Sequence, residues 1–178
     1  MGTFIDNHDV PRLINGMVDF KEERMKQALT FLMTYTGIPM MYYGTEIGME
    51  GGGDPDNRRD MDWNAKSPLR EYVKKLTGIR KENKALTKGD ISVIRSDGDG
   101  DVLCYSRRYE KDGIIVVYNL STEEKQVKLD LFEDNEDYTL VNLLSGERYP
   151  VAKGLLDIKM SPKQSMILKA ELNNKTPS

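Results

Sequence analysis

Met-Gly-Thr-Phe-Ile-Asp-Asn-His-Asp-Val-Pro-Arg, residues 1–12, is the stretch on which the fold of this chain depends. Phe4 and Ile5 form a short apolar run typical of the end of a buried strand, and the polar string of residues 6–9 follows without a spacer. A β/α barrel places its catalytic side chains at this end of its strands. Taken alone the string is ambiguous, because such polar residues are also typical of a turn or a helix cap.

A second stretch, residues 37–63, favours the catalytic interpretation. It begins Gly-Ile-Pro-Met-Met-Tyr-Tyr-Gly-Thr-Glu, and its glycine-rich loop contains Asp-Pro-Asp-Asn-Arg at residues 54–58. One predicted helix separates it from the first stretch. The two motifs, in this order and at this spacing, resemble the α-amylase superfamily of glycoside hydrolases, in which the first motif ends barrel strand seven and the second forms strand eight. The resemblance is strong over residues 1–90 and only architectural beyond them.

The predicted fold class is therefore α/β plus all-β: the last two β/α units of a TIM-type (β/α)8 barrel, followed by an antiparallel β-sandwich. Residues 1–89 are predicted as the C-terminal part of the catalytic barrel and residues 90–178 as the sandwich domain. A complete barrel needs about 200 to 250 residues. We therefore expect the chain to be the C-terminal piece of a larger enzyme.

Hydrophobic spacing predicts the elements of the barrel part. One helix is predicted over 19–35 with Asp19 as its cap, and a second over 68–82, with Ser67 as N-cap and a proline at the first helical position. The basic residues of the second helix are predicted to form a solvated face: Arg70, Lys74, Lys75, Arg80 and Lys81. Residues 38–43 form an almost continuous apolar run, as expected of a parallel strand buried on both faces.

From Asp90 the apolar residues alternate with a period of two, and turn signals separate short segments. This pattern is typical of an antiparallel sandwich. The predicted strands are 91–95, 102–109, 113–120, 126–131, 138–142, 148–151, 155–160 and 165–168.

The family resemblance implies a retaining double displacement at an α-glucosidic bond. The nucleophilic Asp and the acid/base Glu would follow barrel strands four and five, which lie outside this chain, so the isolated chain is predicted to be inactive. The resemblance assigns Asp9 the role of the third catalytic carboxylate, which binds hydroxyls of the sugar undergoing cleavage, and His8 an assisting role. Asn7 fits the substrate-binding pattern as well, or it simply holds the turn.

Loop residues after the second strand are candidates for binding a more distant glucose. Asp54 and Arg58 match such residues in the family, and the alternative is a local ion pair that fixes the loop. Asp56 and Asn57 are weaker candidates. Trp63 could stack on a sugar ring, although we favour a packing role under the loop, and we interpret Tyr42, Tyr43 and Glu46 as scaffold.

Composition excludes several classes of partner. Hydrophobic residues make up 38% of the chain, charged residues 31%, and the net charge is −3. Without a dense run of Lys and Arg, this argues against nucleic acid. No apolar stretch approaches the roughly 18 residues of a membrane span, so no membrane partner is expected. The single cysteine, Cys104, excludes an internal disulfide, and its strand pattern predicts a buried, unreactive thiol.

One segment resembles a calcium loop. Residues 97–101 read Asp-Gly-Asp-Gly-Asp, but Val102 and Arg108 stand where the EF-hand pattern requires glycine and glutamate. We interpret the segment as a hairpin turn and predict no cofactor in this chain. A calcium ion in the full-length enzyme would have to be held by segments outside it.

Three functions remain open at this point. The first is an α-glucan-active retaining glycosidase or transglycosylase, whose partner is an α-glucan oligo- or polysaccharide. The second is a non-catalytic superfamily member acting in assembly or carbohydrate binding, and the third is a free-standing carbohydrate-binding module. The intact string at residues 6–9 favours the first, and the sandwich has no aromatic stripe that would favour the third. Self-association through exposed barrel surfaces is also expected, because two strands of a closed barrel leave edges unpaired. The sequence does not fix the compartment, although we favour an extracellular bacterial location.

Overall fold

The computed structural model describes residues 1–96, 100–131 and 137–171. The chain divides into two compact units, Met1–Thr87 and Lys88–Ser178. The fold class predicted from the sequence, barrel units followed by an antiparallel β-domain, is confirmed.

The first unit contains a parallel β-α-β arrangement. Strand β1 (Gly2–Thr3) pairs in parallel with β2 (Ile38–Pro39), and helix α1 (Lys21–Thr34) lies between them in the chain. Gly37, with φ of 100°, allows the sharp turn from the helix into β2. The connection has the form that parallel strands require.

The prediction of strands buried on both faces is wrong for this chain. Phe4 is 53% exposed, Ile38 69% and Met40 55%. Among the residues described, β1 and β2 form a sheet of two strands. Their outer edges and apolar side chains therefore have no neighbouring strand there against which to pack.

Helices α2 (Pro68–Glu82) and α3 (Lys84–Lys88) complete the unit. The predicted cap of α2 is confirmed, because the Ser67 side chain accepts a hydrogen bond from Leu69 N at 3.3 Å. The predicted cap of α1 is wrong: the N-cap is Phe20, with φ of 47°. Asp19 lies one residue further out, where its carboxylate pairs with Arg24 Nη2 at 2.7 Å.

Arg80 was predicted on a solvated face, and this prediction is also wrong, because Arg80 is buried. Its guanidinium crosses from α2 to the end of α1. Nη1 donates to Met33 O at 2.6 Å and to Tyr35 O at 3.3 Å, and Nη2 donates to Gly37 O at 2.7 Å. Helix C-terminal carbonyls lack intrahelical donors. Arg80 therefore joins the two helices by supplying those donors.

All eight predicted strands of the second unit are present, as β3 (Asp90–Ser96), β4 (Val102–Tyr109), β5 (Asp112–Asn119), β6 (Lys125–Asp130), β7 (Tyr138–Asn142), β8 (Arg148–Ala152), β9 (Leu155–Met160) and β10 (Ser165–Ala170). They form one antiparallel ladder in the order β3-β4-β5-β10-β7-β8-β9-β6. Arg95 Nη1 donates to Lys128 O at 3.0 Å, which joins the first strand of this order to the last. The ladder therefore curls over on itself.

The inward face of this curled ladder forms one apolar core, with residues from β4 to β10. Cys104 lies within that core and is fully buried, as predicted. Burial raises the pKa of the Cys104 thiol to about 12. The thiol is therefore protonated and inert at neutral pH.

Candidate active site

The four polar residues after β1 divide into two kinds. Asp6 is buried: Oδ1 accepts a hydrogen bond from Thr45 Oγ1 at 2.8 Å, and Oδ2 accepts one from Leu13 N at 3.4 Å. Asn7 holds the turn, because its Oδ1 accepts a hydrogen bond from Asp9 N at 2.8 Å. Such side-chain bonds to the backbone two residues on are typical of asparagine in turns. Asp6 and the Asn7 carbonyl thus serve the shape of the loop.

His8 and Asp9 are the exposed pair of the string. His8 Nε2 lies 3.3 Å from Asp9 Oδ1, and the side chains are 62% and 67% exposed. The Tyr42 ring lies nearby, with its centroid 6.5 Å from that of His8. The pair therefore presents a carboxylate acceptor and an imidazole donor side by side, close to an aromatic ring, at the carboxyl end of β1.

Asn57 binds the backbone of this pair from the loop after β2. It lies in a single 3₁₀ turn, Asp56–Arg58, and is fully buried. Its Nδ2 donates to His8 O at 2.8 Å and to Val10 O at 2.9 Å. The two carbonyls belong to the His8–Asp9 and Val10–Pro11 peptide units, so one side-chain amide holds the backbone directly before Asp9 and one residue after it.

Arg12 holds Asn57 in turn. It is 1% exposed, its Nε donates to Asn57 O at 2.9 Å, and its Nη1 donates to Tyr43 O at 2.6 Å. The guanidinium carbon lies 4.1 Å from the ring centroid of Tyr42 and 4.8 Å from that of Tyr43. Carbonyl oxygens and aromatic faces together stabilise the buried cation.

Asn57 was a weaker candidate for binding sugar, whereas its buried side chain binds the loop backbone. The part played by Arg12 was not predicted from the sequence. The tyrosine pair was the available signal, since two adjacent rings can flank a cation. That signal does not identify which arginine lies there, because Arg12 and the pair are 30 positions apart in the chain.

Asp54 and Arg58, predicted to bind a distant glucose, are brought together as an ion pair. Arg58 Nε lies 3.4 Å from Asp54 Oδ1, and the two side chains are 45% and 59% exposed. The same Nε donates to His8 O at 3.1 Å. Arg58 therefore connects the exposed loop carboxylate to the backbone of the His8 and Asp9 pair.

Other loop residues have structural parts. Gly52 N donates to Asp56 Oδ2 at 2.6 Å, and this bond, with the ion pair to Arg59, keeps the pKa of Asp56 below its usual value. Burial, followed by the hydrogen bond with Tyr43, raises the pKa of Tyr42. The packing role favoured for Trp63 is wrong, because its side chain is 79% exposed.

Neither a metal-binding cluster nor a membrane-spanning helix occurs in the described residues, 1–96, 100–131 and 137–171. Within these ranges there is no group of three or more His, Cys, Asp or Glu side chains that could hold a metal ion. Nor does any helix there have the length and apolarity needed to cross a membrane. The calcium-like segment lies mostly outside the described residues, and Asp101 at its end pairs with Lys125 Nζ at 2.5 Å. The absence of a cofactor from this chain stays a prediction.

Comparison with known proteins defines the class of protein. Residues 1–67 match the family model of the α-amylase catalytic domain, and residues 91–167 match that of the maltogenic amylase C-terminal domain. Together the two matches cover most of the chain, one on each structural unit. The two matches define the class as the β/α-barrel glycoside hydrolases that carry a C-terminal β-domain.

Individual relatives agree. A cyclomaltodextrinase from Geobacillus thermopakistaniensis is 33% identical over 161 residues, which is 89% of this chain and 27% of that protein. A cyclomaltodextrinase from Thermoanaerobacter pseudethanolicus is 40% identical over 143 residues, 77% of this chain and 24% of that protein. The solved α-amylase from Geobacillus thermoleovorans, complexed with acarbose, superposes with a TM-score of 0.88 at 31% identity, over 98% of this chain and 39% of that one. The chain belongs to the α-amylase superfamily, and it spans about a quarter of the length of these curated relatives.

Proposed function

We propose that this chain supplies the end of the catalytic barrel and the C-terminal β-domain of a retaining glycosidase acting on α-glucosidic bonds in starch, maltooligosaccharides or related α-glucans. The supporting observation is the exposed His8 and Asp9 pair at the carboxyl end of β1, held from behind by the loop after β2. Relatives named cyclomaltodextrinase, and the acarbose complex of a similar α-amylase, support an α-glucan as the substrate.

Asp9 is proposed to bind hydroxyls of the sugar whose bond is cleaved. As the ring flattens toward an oxocarbenium-like transition state, such hydrogen bonds strengthen and lower the barrier. An anionic acceptor suits this task, because charge-assisted hydrogen bonds are roughly twice as strong as neutral ones. His8 Nε2, 3.3 Å from Asp9 Oδ1, is placed to donate to an adjacent hydroxyl.

Arg58 and Asp54 are proposed to contact a glucose farther from the cleaved bond. Their side chains are about half exposed and paired, so a sugar hydroxyl can approach both a guanidinium donor and a carboxylate acceptor. Asn7 is the remaining proposed substrate contact, through its amide N–H groups, since its carbonyl oxygen is engaged in the turn.

The covalent chemistry is proposed to come from carboxyl groups outside this chain. Retention requires a nucleophile and an acid/base about 5 to 5.5 Å apart. The isolated chain is therefore proposed to be inactive, and its part in the reaction requires no cofactor of its own. The domain boundary near residue 89 is proposed as the point at which the barrel ends.

Replacement of the carboxylate tests this proposal. In the enzyme that carries this chain, Asp9→Asn should lower kcat on maltooligosaccharides roughly 100-fold, equivalent to about 3 kcal/mol, with a smaller effect on KM. His8→Ala should act in the same direction more weakly. The matched control is Asp60→Asn, which neutralises an exposed carboxylate in the neighbouring loop and should leave kcat within about twofold. An Asp9→Asn enzyme with a near-normal kcat would remove Asp9 from the catalytic machinery.

A further inference from the structure

The Asn57 side chain belongs to the loop after β2, yet it donates two hydrogen bonds to the segment after β1. Nδ2 contacts His8 O at 2.8 Å and Val10 O at 2.9 Å, 49 and 47 positions away in the chain. A primary amide has two N–H groups, so one nitrogen suffices for both carbonyls. Asp9 and the N and Cα atoms of Val10 lie between those two carbonyls.

The burial of Asn57 makes this geometry stiff. Its side chain is inaccessible to solvent, and the Oδ1 atom has no hydrogen-bond partner among the residues described. A buried polar atom left in this way costs free energy. Asn57 is therefore retained in this position at a cost, which the two bonds to the loop backbone help to offset.

Arg12 and Gly51 support Asn57 from two sides. Arg12 Nε donates to Asn57 O at 2.9 Å. At Gly51, a Cβ atom would lie 2.8 Å from Asn57 Cα and 2.7 Å from Asp56 O, so the backbone approaches as closely as it can. These contacts hold the backbone of Asn57 in place, and its side-chain amide in turn holds the loop after β1.

We propose that Asn57, backed by Arg12, is a positioning residue for Asp9: it sets the backbone on both sides of the carboxylate. This inference rests on the proposed function of Asp9. The exposed Asp9 side chain has to meet a sugar hydroxyl at hydrogen-bond distance, and misplacement of a catalytic group by about 1 Å can lower a rate about 100-fold. Asn57 acts through Asp9, with no contact to the sugar of its own.

The decisive variant is Asn57→Asp, which keeps the size of the side chain and sets an acceptor against His8 O and Val10 O. In the enzyme that carries this chain, kcat should fall on the order of 10- to 100-fold with KM changed much less. Asn64→Asp makes the same chemical change at an exposed asparagine and should leave both constants within about twofold. Asn57→Ser, whose short hydroxyl reaches one carbonyl at most, should lose less and serves if Asn57→Asp does not fold.

A double-mutant cycle separates positioning from a general structural role. If Asn57 works through Asp9, then Asp9→Asn combined with Asn57→Asp should be no slower than Asp9→Asn alone. Losses that multiply would overturn the proposal, as would an Asn57→Asp enzyme whose kcat is unchanged.

Hydrogen exchange of the 178-residue chain keeps this test independent of the proposed function. The Arg12 amide, which donates to Gly51 O at 2.9 Å, should exchange faster in Asn57→Asp than in Asn64→Asp. If Asp9→Asn leaves kcat unchanged, the proposed function fails while faster exchange still supports Asn57 as the tether of the loop. Unchanged exchange contradicts the tether whatever the kinetics.

Discussion

Gly51 lies where two backbone segments meet without room for a side chain. An added Cβ would approach Asp56 O to 2.7 Å, whereas at Gly53 no atom lies within 4 Å of the added Cβ. We predict that Gly51→Ala lowers the unfolding free energy by about 1 to 3 kcal/mol, because a methyl group inserted into a filled space forces backbone to move. Urea unfolding followed by circular dichroism measures the change, and Gly53→Ala is the matched control. Equal stability of the two variants would show that the loop yields at little cost.

Local rules predicted residues whose partners are close in sequence. Ser67 caps α2 through Leu69 N, two positions away, and was predicted from the Ser-Pro pair. Asp6 and Asp9 look equivalent in the sequence. Asp6 is buried and bonded to Thr45, 39 positions away, whereas Asp9 is exposed. Propensities carry no information on contacts of that range, so the part played by Arg12 was missed and Arg80 was wrongly placed on a solvated face.

At the scale of elements, the Arg80 guanidinium links α2 to the C-terminal end of α1. Arg80→Met should remove the donors to Met33 O, Tyr35 O and Gly37 O and lower the unfolding free energy by about 2 to 4 kcal/mol, because one buried and two part-buried hydrogen bonds are lost. The control is Arg70→Met on the same helix, for which we expect a change within about 0.5 kcal/mol. Denaturant unfolding at a helix-sensitive wavelength gives both values. A loss at Arg80 no larger than at Arg70 would mean that the carbonyls find other donors.

The elements of the β-domain were predictable because alternation with a period of two is a local pattern. Their order was not. Strand β10 pairs with β5 on one side and β7 on the other, and β6 pairs with β9, so the ladder depends on pairings between distant segments. The prediction for the barrel strands was wrong although the local pattern was clear. The apolar run of residues 38–43 is typical of a buried strand, but burial depends on neighbouring strands, which a local pattern does not specify.

At the scale of the whole molecule, the exposed strands of the first unit predict self-association. Strands β1 and β2 leave apolar side chains in solvent, and residues including Phe4, Phe31 and Tyr35 line an apolar hollow beside β1. Unpaired edges and apolar patches of this kind favour pairing between copies. Light scattering should therefore give a mass above the 20.3 kDa of one chain.

A lysine substitution tests which surface is responsible. Ile38→Lys should shift the mass toward that of one chain, because a charge at the edge of β2 opposes pairing. Leu155→Lys places the same charge on a comparably exposed side chain of the β-domain, 57% exposed against 69%, and should leave the mass unchanged. A chain that is monomeric before any substitution would contradict the prediction outright.

Cys104 is a chemical probe of opening in the β-domain only. It is the single cysteine of the chain, it lies in β4 within the core of the β-domain, and its thiol, with a pKa of about 12, is protonated at neutral pH. A thiol-directed label can therefore attach only when the curled ladder opens. The Met1–Thr87 unit has no thiol. The labelling rate therefore reports the opening of the β-ladder alone and does not respond to unfolding of the helices in that unit.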